Sequence, residues 1–585
     1  MMFLQQVLAL SVAATATFLV EAEPVQPNFI VMQPDDMLWL EAWGGAAHFQ
    51  RDDESEWVQV PATSLIPNLE RLRTQGVQMK EAYTASPMCG TSRYSTMTGR
   101  YPSRSSVGRD GASELQRVTI PSTKLENNDA VPDGLDCSTG NLASAFLGSQ
   151  QYATGMIGKW HLTSSDRDVA FEYEEIKQDI RDCGFDYAEA IYPENLNSAW
   201  TEGYDEIGHN MEHLTSRALE FMESAISLEQ PFFLYFNPTV PHGSGNVRRT
   251  LQRESCKTTV EGELNDPPHI GYGKMKSDSI NDPDCNTYRN DIITRSGGST
   301  DDKVLGMIWI DDAIGAIIEM LENKQQFENT FFLFQQDHGQ EGKGSLFEPG
   351  IKIAQFVHFP QEFGTEGHTF DGLVSTIDIG PTMLDYAGIA PPYKMDGESW
   401  ASAVSDAITG VEHPFDWKER CLVFEMDKDR AIRCGCSKFI GINDVDDGGT
   451  ASHRIADALG FNILPENLYN LCSGDDALEF DGGLVTDADL LMTMKNHYSC
   501  HVQKTAGDEL PDYDTECWQF DDAPTDTPTD QAPTASPTGA CGDIEGDFTH
   551  ELLNRERNCR WVRREQDERC ANFGSFCPES CGLCP

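Results

Sequence analysis

Three short runs constrain the fold more than anything else in the chain. Asn28-Phe29-Ile30-Val31-Met32, Phe232-Phe233-Leu234-Tyr235-Phe236 and Thr330-Phe331-Phe332-Leu333-Phe334 are apolar almost throughout. A strand with one wet face alternates apolar and polar residues; a run apolar on both faces belongs inside a sheet covered on both sides. Helical periodicity lies between these runs. Leu214 to Ile226 has it, as does Lys303 to Leu321, with Leu305, Ile308, Ile310, Ile314, Ile317 and Leu321 on the repeat. Buried strands alternating with amphipathic helices predict an α/β fold: a large, mostly parallel central sheet flanked by helices. In such sheets ligands bind beyond the C-terminal strand ends. Pro34-Asp35-Asp36, Asn237 to His242 and Asp337-His338 fall there.

At 585 residues the chain exceeds one ordinary domain. Residues 23–395 are expected to form the α/β domain. From 396 to 520 the texture changes to short pieces broken by Gly and Asp: Leu422-Val423-Phe424, Ala431-Ile432-Arg433 and Lys438-Phe439-Ile440. These predict a smaller antiparallel sheet. Residues 521–540, rich in Pro, Thr and Asp, read as a linker. Residues 541–585 read as a small module that depends on disulfides to fold.

The first 22 residues read as a signal peptide, with an apolar run from Leu8 to Val20 and cleavage after Ala22. That run is short for a membrane span, and no other long apolar segment follows, so no span is expected. Seventeen cysteines suit disulfides in the secretory-pathway lumen or outside the cell. Six lie in the tail and eleven upstream, so setting Cys89 aside makes both groups even.

Acidic residues outnumber basic ones by 95 to 43, for a net charge of -52. Nucleic acid is therefore not an expected partner, because phosphate binding needs a basic face. An anionic substrate would need a pocket that is basic at short range, where salt screens the distant charge.

Pro87-Met88-Cys89-Gly90-Thr91-Ser92-Arg93, continuing to Thr98-Gly99-Arg100, resembles the signature of the formylglycine-dependent sulfatases. By itself the pentad from Cys89 to Arg93 fits a half-buried cysteine in a polar turn equally well. Thr91 departs from the family's usual proline. Further segments carry the resemblance in family order across about residues 26–515. It implies an alkaline-phosphatase-like fold and oxidation of Cys89 by a formylglycine-generating enzyme. The hydrated aldehyde offers one oxygen for attack on sulfur and a second hydroxyl for expelling sulfate.

The same resemblance assigns roles. Asp35, Asp36, Asp337 and His338, with residue 89, would hold one divalent metal. Oxygen ligands favour Ca²⁺, with Mg²⁺ as the alternative. His338 replaces the Asn of many members, as in those resembling iduronate-2-sulfatase. Gly158-Lys159-Trp160-His161-Leu162 would place Lys159 on sulfate oxygens and His161 as the base that triggers sulfate release. On an extended strand the two would share a face. His242, in Asn237-Pro238-Thr239-Val240-Pro241-His242, would protonate the leaving alkoxide, a task suited to imidazole. Lys343, in the segment Gly342 to Gly350, would share that duty, and Arg93 would hold the nucleophile. Arg93, Lys159 and Lys343 together would supply the basic pocket.

Asp429 to Arg433, Lys438 to Ile440 and Glu466 to Leu471 resemble the sulfatase C-terminal region. Cys559-Arg560-Trp561 and Cys577 to Cys584 resemble a ShK-toxin-like module, which implies an extracellular partner for the tail. His48, His209, His213, His358, His368 and His413 match no motif, although His209 or His368 could line a pocket. The insertion from about Val247 to Ser299, with Cys256 and Cys285, could shape one too.

The reading is a secreted sulfatase acting on a sulfated carbohydrate or other sulfate ester. Two alternatives stay open: a phosphodiester or phosphonate hydrolase on the same scaffold, and a non-catalytic extracellular carbohydrate-binding or matrix protein.

Overall fold

The computed structural model describes residues 26–37, 46–50, 57–104, 137, 140–162, 173–193, 208–242, 247–276, 285–340, 342–426, 429–442, 464, 466–472, 486–505, 547–550 and 555–558. The expected signal peptide and linker, and most of the cysteine-rich tail, lie outside the described residues.

An eight-stranded sheet organises the chain. Its strands are β1 (Asn28–Met32), β2 (Val77–Tyr83), β3 (Ala153–Lys159), β4 (Tyr187–Tyr192), β5 (Phe232–Asn237), β6 (Thr330–Gln335), β7 (Gln355–His358) and β8 (His368–Ser375). In space the order is β8-β2-β7-β6-β1-β5-β3-β4. Every neighbouring pair is parallel except those made by β7. The three apolar runs of the sequence are the adjacent central strands β6, β1 and β5, and every residue in them is buried. The faces separate cleanly. Ile30 and Met32 join one core cluster, Phe29 and Val31 the other. Each such buried side chain contributes about 1.5–3 kcal/mol of transfer free energy.

The principal helices lie on these two faces. α1 (Cys89–Thr98) packs Tyr94 and Met97 on the Phe29 side. α2 (Met211–Ser227) and α3 (Asp302–Asn323) pack Leu214, Met222, Leu305 and Ile314 on the Ile30 side. Both helices extend a few residues beyond the periodic segments, because Asn210 and Asp301 cap their first turns with side-chain oxygens.

A second sheet of four antiparallel strands follows, as expected: β9 (Cys421–Met426), β10 (Asp429–Cys434), β11 (Ser437–Gly441) and β12 (Glu466–Asn470), in sequential order. One face holds Leu422, Phe424 and Ile440 against Tyr83, Leu346 and Phe347 of the larger unit. The other holds Val423 and Ile432 against Met494 of α4 (Ala488–Thr505).

The insertion after His242 is fastened to α2. Arg289 and Glu212, both fully buried, pair at 2.9 Å. The Arg289 guanidinium also donates to the carbonyls of Thr250 and Glu254 and lies over the Trp309 ring. Disulfides join Cys256–Cys285, Cys137–Cys183, Cys421–Cys434 and Cys436–Cys472, and Cys500 is also disulfide-bonded. Cys89 is free and buried. Among the described residues, no helix is long and apolar enough to cross a membrane.

Candidate active site

The C-terminal ends of β1, β3, β5 and β6 bring Asp35-Asp36, Lys159, His242 and Asp337-His338 to one place. Sheet order does this, since β6, β1, β5 and β3 are consecutive neighbours. Cys89 arrives separately. Met88 is extended and Cys89 opens α1, where Ser92 N–H donates to Met88 O. That leaves residue 89 at a helix N-terminus, an end that favours negative charge. The helix stops at Gly99, whose φ of 64° closes the last turn onto Ser95 O.

Around Cys89 the contacts are short. Lys343 Nζ lies 3.3 Å from Cys89 Sγ and donates to Asp36 Oδ1 at 2.6 Å. His338 Nε2 is 3.5 Å from the same sulfur and 3.0 Å from Asp36 Oδ1. Lys159 Nζ donates to Asp35 Oδ2 at 2.7 Å. Arg93, fully buried, sends Nη2 to 3.7 Å from Asp35 Oδ1 and 3.8 Å from Asp337 Oδ2. Both Arg93 terminal nitrogens reach Gln33 O at 3.4 Å. His242 Nε2 stands 3.6 Å from Asp36 Oδ2.

His161 departs from the expected extended strand. β3 ends at Lys159, and His161 takes a left-handed backbone with φ of 56°. Its N–H still bonds Pro193 O, so the chain turns while keeping a hold on the loop after β4. The turn sets His161 against Gly90. A Cβ on Gly90 would lie 3.3 Å from His161 O and 3.9 Å from its ring.

Burial and neighbouring charge set the ionisation. Burial alone would raise Asp35, but Lys159, His242, Arg93 and Lys343 outweigh it and hold the carboxyl well below its usual value. Asp36 is likewise held low against burial, chiefly by His338. Asp337 is pushed up, because burial and the neighbouring Asp35 prevail there. His338 is drawn up to about 10: burial opposes this, and Asp337 and Asp36 overcome it. His161 is pushed well below the usual imidazole value by burial and Lys159. His242 is also lowered, burial and Lys159 outweighing the pull of Asp35 and Asp36.

The donor set fits a divalent cation. One ligand atom each from Asp36, Cys89, Asp337 and His338 lies within 4.8 Å of the others, all on buried residues. Asp35 Oδ1 and Asp337 Oδ2 are buried without a hydrogen-bond partner, a costly state for carboxylate oxygens that a cation would relieve. Lys343 and His338 compensate part of that charge here.

The Sulfatase family profile matches residues 53–389, more than half of the chain. The chain belongs to the sulfatase family. The sulfatase segment contains Cys89, Lys159, His161, His242, Asp337, His338 and Lys343; Asp35 and Asp36 precede it and reach it through β1. The chain is 27% identical over 383 residues to a protein named uncharacterized sulfatase YdeN from Escherichia coli (strain K12), covering 59% of this chain and 58% of that protein. It is 22% identical over 477 residues to the N-acetylglucosamine-6-O-sulfatase of Bacteroides thetaiotaomicron, covering 70% and 76%. The fold resembles a crystal structure titled Ps i-CgsB in complex with k-i-k-neocarrahexaose, with TM-score 0.53, 19% identity, and 84% and 97% of the two chains covered.

Behind the site, sequence reasoning did not single out Gln33 and named His209 only as a histidine that could line a pocket. His209, without a motif, is buried beneath the His242 loop, with Nδ1 2.9 Å from Thr239 Oγ1. Burial and the nearby His242 lower it to about 3. Gln33 joins Tyr235 OH at 2.6 Å to Ser92 Oγ at 3.2 Å and so ties β1, β5 and α1 together. Gln33 carries no signal of its position in advance. By contrast His368, on a sheet-edge strand, lies away from these contacts.

Proposed function

We propose that this chain is a sulfuric ester hydrolase that cleaves sulfate esters of carbohydrates to alcohol and inorganic sulfate. The observation that carries the reading is the buried free thiol of Cys89, at the start of α1 and within 3.5 Å of both Lys343 Nζ and His338 Nε2. Family membership supports sulfate-ester hydrolysis. The N-acetylglucosamine-6-O-sulfatase relative and the oligosaccharide-bound sulfatase-fold structure support a sugar substrate.

Oxidation of Cys89 to formylglycine would supply the hydrated aldehyde that attacks sulfur. A divalent metal held by Asp35, Asp36, Asp337, His338 and residue 89 would supply positive charge for sulfate oxygens. Ca²⁺ suits the carboxylates, with Mg²⁺ as the alternative. Lys159 and Lys343 bring charge to the sulfate; Arg93 offsets the acids and faces the nucleophile. His161, neutral at physiological pH, accepts the proton from the residue 89 hydroxyl so that sulfate departs. His242 donates to the leaving oxygen. An arriving sulfate anion favours its protonated form, against the burial that lowers it.

The disulfides support a secreted protein with a signal peptide at 1–22. The boundaries 23–395, 396–520, 521–540 and 541–585 belong to the same proposal, with the ShK-like tail as an extracellular interaction module. A formylglycine-generating enzyme would act during maturation.

The test joins two measurements. A mass spectrum of the peptide spanning Cys89 should show sulfur exchanged for oxygen together with the loss of two hydrogens, the change from –CH2SH to an aldehyde. Metal-replete protein should release sulfate from N-acetylglucosamine 6-sulfate or an aryl sulfate faster than phosphate from the matching ester. An unmodified Cys89 in protein secreted by its own host, or preference for phosphate, would sink the reading.

A further inference from the structure

We infer that Lys438 of the small sheet is a positioning residue for Lys343, acting through Glu348. This rests on the proposed role of Lys343 but adds a function for the second domain.

Lys343 sits on the segment between β6 and β7, and that segment is tied into a compact unit. Gly339 N–H donates to Gly350 O, Gly342 N–H to Pro349 O, and Gly350 N–H to Phe347 O. The backbones approach too closely for side chains: a Cβ on Gly342 would meet Gly350 N at 2.4 Å. Moving one end of the unit therefore moves the other. Gly344 N–H donates to Pro87 O at 3.0 Å, which sets the Lys343 end beside Cys89.

Glu348 anchors the opposite end. It is 2% exposed. Its Oε1 accepts from Lys438 Nζ at 2.9 Å and its Oε2 from Tyr83 OH at 2.8 Å. Arg433 Nη1 stands 3.9 Å away. Lys438 is fully buried in β11, Arg433 lies in β10, and Tyr83 ends β2 of the large sheet. Leu346, Phe347 and Ile351 share a core cluster with Leu422, Phe424 and Ile440 of the small sheet. The small sheet is thus the surface on which the Lys343 unit is seated.

Stability alone does not account for the charges. A buried ion pair gives little net stabilisation against apolar side chains of similar volume. It does fix geometry, because two carboxylate oxygens must meet two donors from different sheets at once. Apolar packing would hold the unit on the small sheet without that constraint, and Lys343 Nζ would lose its setting against Asp36 Oδ1 and Cys89 Sγ.

The test is the double variant Glu348→Gln/Lys438→Met in the full chain, which leaves no buried charge unpaired between them. Three quantities are compared with the parent: thermal midpoint, kcat and KM on an aryl sulfate, and acylation of Lys343 by an amine reagent, with Lys352 as the internal reference. The expected result is a midpoint near the parent's, kcat lower by roughly 10- to 100-fold with KM little changed, and severalfold faster labelling of Lys343 relative to Lys352. Lys438→Arg, which keeps a cation on Glu348, should restore part of kcat and part of the parent's labelling ratio. Folded double variant with unchanged Lys343 labelling would overturn the inference, whatever its activity. If labelling rises while the parent itself releases no sulfate, the positioning inference stands and the sulfatase reading falls. Should the double variant fail to fold, Glu348→Gln alone is read by the same labelling ratio, and an unchanged ratio there overturns the inference.

Discussion

The acid cluster at Asp35, Asp36 and Asp337 and the ion cluster at Glu348 are both buried, and both join strands distant in sequence. They differ in how completely their oxygens are satisfied. Glu348 spends both carboxylate oxygens on Lys438 and Tyr83, and Arg433 Nη1 turns to Glu81 Oε2 and the Tyr83 hydroxyl. In the acid cluster Asp35 Oδ1 and Asp337 Oδ2 have no hydrogen-bond partner; Arg93 Nη2 stands 3.7 and 3.8 Å from them and His338 Nε2 3.6 Å from Asp337 Oδ2. A fully paired buried cluster holds structure. One whose carboxylate oxygens lack hydrogen bonds is set up to receive something. The two clusters should therefore respond differently to mutation.

The largest effect expected is on activity. Cys89→Ala should lower kcat by about 10⁴-fold or more, as removal of a nucleophile does elsewhere, with the thermal midpoint kept; sulfate release and differential scanning calorimetry read both. Residual activity near the parent's would remove Cys89 from the mechanism.

Next comes a paired test of the comparison itself. Glu348→Ala leaves Lys438 buried and uncompensated and should cost about 3–5 kcal/mol. Asp337→Asn removes one charge from a crowded acid site. It should leave metal-free stability unchanged or raise it, while abolishing sulfate release. Urea unfolding of the two variants after chelation decides, and a larger loss for Asp337→Asn would erase the distinction.

Third is the acid limb of stability. Glu425 lies in β9 and receives Ser103 N–H at 2.8 Å and His501 Nε2 at 3.2 Å. Burial would raise it, but His501 and Arg430 bring it down to about 2. A carboxyl lowered in the folded state stabilises above its unfolded value and loses that contribution as pH falls toward 2. The total is on the order of 3 kcal/mol. Glu425→Gln should flatten stability against pH between about 4.5 and 2; an unchanged slope would show that other carboxylates set that limb.

The smallest effect concerns the cation. Adding Ca²⁺ to chelated protein at a hundred times its dissociation constant should stabilise it by about 2.7 kcal/mol. Asp337→Asn should shrink that gain and Glu348→Gln should not. Equal gains in both would move the cation away from Asp337.

Much of this was legible in the chain, for local reasons. The apolar pentads became β1, β5 and β6, because continuous apolarity leaves a strand no solvent face. Asp35, His242 and Asp337 follow such strands, at the ligand-binding edge, but their roles came from the sulfatase resemblance and not from position. His161 was expected to share a strand face with Lys159, and does not: alternation describes a strand, and β3 ends two residues earlier. Gln33 gave no signal; His209 was named only as a histidine that could line a pocket, and Glu348 and Lys438 only as members of family-like segments. A buried polar residue is recognisable only by the partner that lets it be buried.

Apolar patterning, turn residues and disulfide-rich composition act within a few residues and were set by the sequence alone. So were the residue types available for chemistry. Which charges meet was decided by the tertiary structure. Lys343 and Asp36 stand 307 positions apart, and Lys159 and Asp35 stand 124 apart. They touch because packing on both faces puts β6, β1, β5 and β3 side by side, and because the small sheet seats the Lys343 segment. That order depends on the free energy of the whole core, which no local stretch of sequence carries.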